Sequence, residues 1–121
     1  MDKFKPVNDT YGHDVGDQLL KAVADRLRVC VRSSDFAFRI GGDEFAVIMV
    51  NVGRELSHTV SDKIELINDA LSNPTDGLPA VSLSVGVAFT DRENPGESIF
   101  KDADQALYRV KQNGKHDCGF Y

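Results

Sequence analysis

The stretch that most constrains this chain is Ile40-Gly41-Gly42-Asp43-Glu44-Phe45, where two glycines and two acids interrupt a pair of alternating apolar runs. Phe36, Phe38 and Ile40 alternate with Ala37 and Arg39 before it, and Phe45, Val47 and Met49 alternate with Ala46, Ile48 and Val50 after it. Period-two alternation marks a β-strand, so the two runs predict a hairpin that reverses at Gly-Gly. Glycine adopts positive φ without a Cβ clash, and its bare backbone lets phosphates approach closely. Asp43 and Glu44 stand where a divalent ion can be caught. Taken alone, the segment reads better as a solubilising loop, because an exposed acid pair costs little in water.

The rest of the chain supplies helices to cover such a sheet. Leu19, Leu20, Val23, Ala24, Leu27 and Val31 recur with a 3.6-residue period, while Asp25, Arg26 and Arg28 fall largely off the stripe. A second helix is predicted from a Ser57 N-cap to Leu71, with Val60, Ile64 and Ile67 on one side, and Asn73-Pro74-Thr75-Asp76-Gly77 breaks it. Val81, Leu83, Val85, Val87 and Phe89 alternate with Ser82, Ser84, Gly86 and Ala88, a strand with one large apolar face and one small-residue face. Ser98 is placed to cap a third helix carrying Ile99, Ala103, Ala106, Leu107 and Val110, which Gly114 ends. A short strand over Asp117 to Tyr121 is expected to close the sheet.

With 121 residues and a 41% hydrophobic share, the chain predicts one domain with an ordinary core. Cys30 and Cys118 form no CxxC pair, which argues against a disulfide framework or a zinc site and for a reducing, cytoplasmic setting. No apolar run is long enough to span a bilayer, although a parent protein with a membrane anchor is compatible with this sequence. A net charge of -5 opposes binding to a nucleic acid polymer, which needs a basic footprint. A single nucleotide remains accessible, since acids recruit a divalent cation and the cation neutralises a triphosphate.

Five separated motifs resemble the GGDEF family, the diguanylate cyclases. Asp2-Lys3-Phe4-Lys5-Pro6-Val7-Asn8-Asp9-Thr10-Tyr11-Gly12-His13-Asp14-Val15-Gly16-Asp17 is similar to the DxFKxxNDxxGHxxGD segment. Arg32-Ser33-Ser34-Asp35 resembles the RxxD inhibitory motif at its usual distance before Gly-Gly. The tip itself, Ser82-Leu83-Ser84-Val85-Gly86-Val87-Ala88 and Ala103-Asp104-Gln105-Ala106-Leu107-Tyr108-Arg109-Val110-Lys111 complete the set in order. The resemblance implies an α+β fold, a ferredoxin-like palm of the nucleotidyl-cyclase kind, with an antiparallel-rich sheet and helices mainly on one face. It also implies condensation of two GTP into cyclic di-GMP by a homodimer that uses Mg²⁺ or Mn²⁺.

Site residues carry over by the same resemblance. Asp43 would coordinate metal with the Met1 backbone carbonyl, and Glu44 would sit at the 3′-hydroxyl as base or second metal residue. Asn8 and Asp17 match the guanine-reading positions, where an amide and a carboxylate pair with a purine edge; Asp17 also reads as a helix cap. His13 would contact ribose or phosphate, and Gly42 the phosphates. Lys5, Lys111 and Lys115 would meet phosphate, although lysines at a helix C-terminus also suit the macrodipole without a ligand. Lys115 stands where the family usually has arginine, which keeps charge and gives up the bidentate fork. Arg32 and Asp35 match the product-inhibition pair; read without a ligand, they are an exposed ion pair between a helix end and a strand.

The amino terminus departs from the family pattern. An additional helix, an LTGLxNR motif and a strand ending in DxD would precede Met1-Asp2, so the family's first metal aspartate and most of its first strand are lacking. Residues 1–121 are then expected to be a GGDEF domain that is less stable or completes its sheet by self-association, or else a fragment of a longer polypeptide. A second reading follows: a catalytically inactive module that binds GTP or cyclic di-GMP as a sensor or interaction domain.

Overall fold

The computed structural model describes residues 1–2, 4–74, 77–114 and 117–121; Lys3, Thr75, Asp76, Lys115 and His116 lie outside the described residues. In chain order the elements are α1 (Phe4–Tyr11), α2 (His13–Cys30), β1 (Phe36–Gly41), β2 (Glu44–Ile48), α3 (Ser57–Ser72), β3 (Val85–Val87), α4 (Ile99–Gln112) and β4 (Cys118–Phe120). β1 and β2 form an antiparallel pair, and β3 and β4 a parallel one. Met1 and Asp2 run between the two pairs. The Asp2 amide donates to the Ser82 carbonyl at 2.9 Å, and the Met1 amino group donates to the Asp43 carbonyl at 3.0 Å. The Asp2 carboxylate is buried and accepts the hydroxyls of Ser82 and Ser84, both at 2.7 Å.

The core forms where the apolar stripes meet. Leu19 and Val23 of α2 are almost fully enclosed and pack with Val7 of α1, Ile67 and Leu71 of α3, and Val81 and Leu83 ahead of β3. Each such side chain contributes about 1.5–3 kcal/mol by leaving water. On the other face of β3, α4 rests directly on the strand, because a Cβ at Gly86 would lie 2.1 Å from the Ala103 carbonyl oxygen and 2.4 Å from the Leu107 amide nitrogen. The small-residue face thus admits a helix.

Several local expectations hold and two change. The Ser98 hydroxyl accepts the Lys101 amide at 3.1 Å, capping α4, and Gly114 follows its end with φ 101°. Ser57 is the first helical residue of α3 and makes no cap; a 3₁₀ turn over Arg54–Leu56 runs straight into the helix and gives Ser57 helical dihedrals. The ladder over the predicted strand from Val81 to Phe89 is confined to β3 and a bridge at Ser82. Upstream, the Leu83 backbone is taken by a side chain: its amide donates to Asn68 Oδ1 at 2.6 Å, and its carbonyl accepts from Asn68 Nδ2 at 3.1 Å.

Candidate nucleotide-binding site

The hairpin register pairs Phe36 with Ile48, Phe38 with Ala46, Arg39 with Phe45 and Gly41 with Glu44, with an irregularity at Ile40. The reversal therefore falls on Gly42-Asp43, one residue later than the sequence suggests. Gly42 has φ 52°, the sign a two-residue hairpin loop needs at its first central position when glycine occupies it. Gly41 pairs in the ladder, its φ is unremarkable, and nothing lies within 4 Å of where its Cβ would be. Neither backbone strain nor crowding within the chain demands glycine there. Arg39, which sequence reasoning passed over, donates from Nε to the Gly42 carbonyl at 2.8 Å and fixes the turn. Its signal was a lone charge in an apolar strand, three residues before the turn.

Asp43 is half-buried and Glu44 exposed at this tip. The Asp43 carboxylate already has a cationic neighbour, the Met1 amino group, at 3.6 Å. Among the described residues no group of three or more His, Cys, Asp or Glu converges on one point. Mg²⁺ asks for only one or two protein carboxylates when a triphosphate supplies its other oxygens. The donor set fits a cation shared with phosphate and does not fit one caged by protein alone.

Asn8, His13 and Asp17 lie on the α1–α2 hairpin, whose corner is Gly12 with φ 91°. The Asn8 carbonyl accepts the Gly12 amide at 2.8 Å, while its side-chain oxygen is buried and has no hydrogen-bond partner among the described residues. Asp17 sits inside α2, beyond the reach of a cap, and the cap position belongs to Gly12. His13 and Asp17 are exposed. Lys5 in α1 and Lys111 near the end of α4 are exposed and have no ion-pair partner among the described residues. Lys115 lies outside the described residues.

The pair before the hairpin is more deeply built than an exposed ion pair. Asp35 is buried, and its Oδ2 accepts the Arg32 amide at 2.9 Å and Arg32 Nε at 3.1 Å. Its Oδ1 accepts Arg32 Nη2 at 3.0 Å and the Val50 amide at 3.1 Å, and Arg32 also donates to the Val50 carbonyl. Chain entering β1 and chain leaving β2 are thereby clamped together. The Arg32 side chain, with the backbone amides, holds the Asp35 carboxyl well below the usual carboxylate range.

The family profile described as "Diguanylate cyclase, GGDEF domain" matches residues 1–117. The chain belongs to the GGDEF family. It is 36% identical over 115 residues to diguanylate cyclase DgcM of Escherichia coli, covering 95% of this chain and 28% of that protein. The GGDEF domain of DgcB from Caulobacter crescentus, solved in complex with c-di-GMP, superposes with a TM-score of 0.82 at 32% identity, over 98% of this chain and 72% of that one. The active GGEEF domain of a diguanylate cyclase from Vibrio cholerae gives a TM-score of 0.83 at 30% identity, over 99% of this chain and 77% of that one. The α+β fold expected from the motifs is that of these GGDEF domains. The chain spans less than a third of the length of the curated relatives it matches. Among the described residues no helix is long and apolar enough to cross a membrane.

Proposed function

We propose that residues 1–121 act as a single cytoplasmic diguanylate cyclase domain, condensing two GTP into cyclic di-GMP and two pyrophosphates with Mg²⁺ or Mn²⁺. The observation that carries this reading is the tip of the hairpin, where among the described residues nothing crowds the place of a Gly41 side chain and two carboxylates follow. Phosphates fit against Gly41 and Gly42, with Lys5, Lys111 and Lys115 as their counter-charges. Asn8 and Asp17 take guanine, whose edge carries donors and acceptors suited to an amide and donors suited to an exposed carboxylate. His13 meets ribose or phosphate. Asp43 and the Met1 carbonyl would hold the metal, which when bound neutralises charge on the α-phosphate.

Each domain holds one GTP, so two copies must face each other. Glu44 is placed to accept the proton of a 3′-hydroxyl; the oxygen then bonds to the α-phosphorus of the opposite GTP, and the bond to the β-phosphate oxygen breaks to release pyrophosphate. Repeated in the other direction, the two attacks close the ring. Product would return to the exposed side of Arg32, which Asp35 orients rather than shares, and restrain turnover from there. The complex of the Caulobacter domain with c-di-GMP supports this part by likeness.

The test is incubation of the chain with GTP and Mg²⁺, with nucleotides resolved by chromatography. Cyclic di-GMP is expected from the parent chain, and Glu44→Gln should lower its rate by at least about a hundredfold. GTP binding without product from either would favour the inactive nucleotide-binding module.

A further inference from the structure

We propose that Gly16 is a positioning residue for base recognition: its missing side chain is the seat of the Asn8 amide, and a single methyl there would displace that amide from the guanine it reads. The inference rests on the guanine reading above and adds a residue that contacts no nucleotide itself.

Gly16 occupies the fourth position of α2, within the helix and buried. Glycine is among the poorest helix formers, and this one shows no positive φ that would call for it. Its neighbour explains it. A Cβ built on Gly16 would lie 1.8 Å from Asn8 Oδ1, 2.9 Å from Asn8 Cγ and 3.5 Å from Asn8 Nδ2. A Cβ does not come within 3 Å of another residue's heavy atoms, so the amide of α1 rests against the backbone of α2 because no side chain stands between them.

The same contact shields the Asn8 oxygen, which has no hydrogen-bond partner among the described residues. A buried polar atom left in that state is costly, and a packing contact that creates the state needs a compensating reason. Fixing the amide in one place for recognition supplies one. The Gly12 corner sets how α1 meets α2, through the Gly12 amide on the Asn8 carbonyl and the Gly16 amide on the Gly12 carbonyl at 3.2 Å. Within that frame Gly16 decides where the amide end of Asn8 rests, and with it where the rest of that amide meets a base.

The experiment measures affinity for GTP and for ATP, each with Mg²⁺, by titration calorimetry on the full chain, Gly16→Ala, Asn8→Ala and the double variant. Each single change is expected to lower the preference for GTP over ATP by about tenfold, the size of one lost hydrogen bond, and the double variant by no more. Loss of preference in Asn8→Ala with full preference kept in Gly16→Ala overturns the inference and leaves the guanine reading intact. Absence of any GTP preference in the parent chain overturns that reading, and this inference with it. Thermal unfolding gives a readout that does not need nucleotide: Gly16→Ala adds helix propensity in either background, and its effect on Tm should be less favourable in the parent, where the Asn8 amide must be displaced, than in the Asn8→Ala background. An equal change in both backgrounds would overturn it.

Discussion

The hairpin β1–β2 and the unit formed by β3, β4 and α4 are built by opposite means. Every residue of β1 is exposed, and Phe45 is the hairpin side chain that packs against the core. The ribbon is instead held at its two ends by polar contacts, Asp35 at the base and Arg39 on the Gly42 carbonyl at the tip. In the second unit, position is set by steric fit, with α4 seated on Gly86 and Val110 of that helix within 2.5 Å of where a Gly119 Cβ would be. One half of the molecule is sensitive to a methyl group and the other to a proton. The tip proposed to meet phosphate is carried by the ribbon that polar contacts hold.

Gly86→Ala should give the largest effect. Its Cβ would meet backbone atoms of α4, which cannot move aside as a flexible side chain would, so urea unfolding should show a loss of about 3 kcal/mol. A loss below about 1 kcal/mol would mean that α4 is less firmly seated than the contact implies.

Asp35→Asn tests the clamp. The folded carboxyl lies below its unfolded value near 3.9, so its stabilisation is present above that pH and is lost as pH falls through the folded value. At neutral pH the variant should unfold at lower urea than the parent, and the gap should narrow steadily below about pH 4. A gap independent of pH would assign the clamp to packing rather than charge. Phe38→Ser, on the exposed face of β1, should change stability by no more than about 0.5 kcal/mol in the same assay. If it costs as much as Gly86→Ala, the contrast between the two halves fails.

Much of the fold was legible because periodicity reports burial. The stripes Leu19-Val23-Leu27 and Ile64-Ile67-Leu71 gave α2 and α3, and alternation gave the hairpin. α1 carried no such stripe, since Val7 is its one buried residue. The turn was misplaced by one because two adjacent glycines look alike in sequence, and pairing with Glu44 is what removes Gly41 from the loop. The ladder ahead of β3 was over-read because a polar residue on a helix, Asn68, takes hydrogen bonds that alternation assigns to a strand. At the candidate site the identities of Asn8, Asp17, Asp43 and Glu44 came through family resemblance. Arg39 and Gly16 emerged from contacts between residues whose sequence separation says nothing of their meeting.

The bond between Asn68 and Leu83 has a consequence for how this molecule opens. An amide proton in a sheet is ordinarily released when a neighbouring strand departs, but the Leu83 proton is held by a helix. Its hydrogen exchange therefore reports on α3. Loosening of that helix would release the segment that receives Asp2, and through the Met1 to Asp43 contact the disturbance would reach the tip, so that one slow proton keeps time for both.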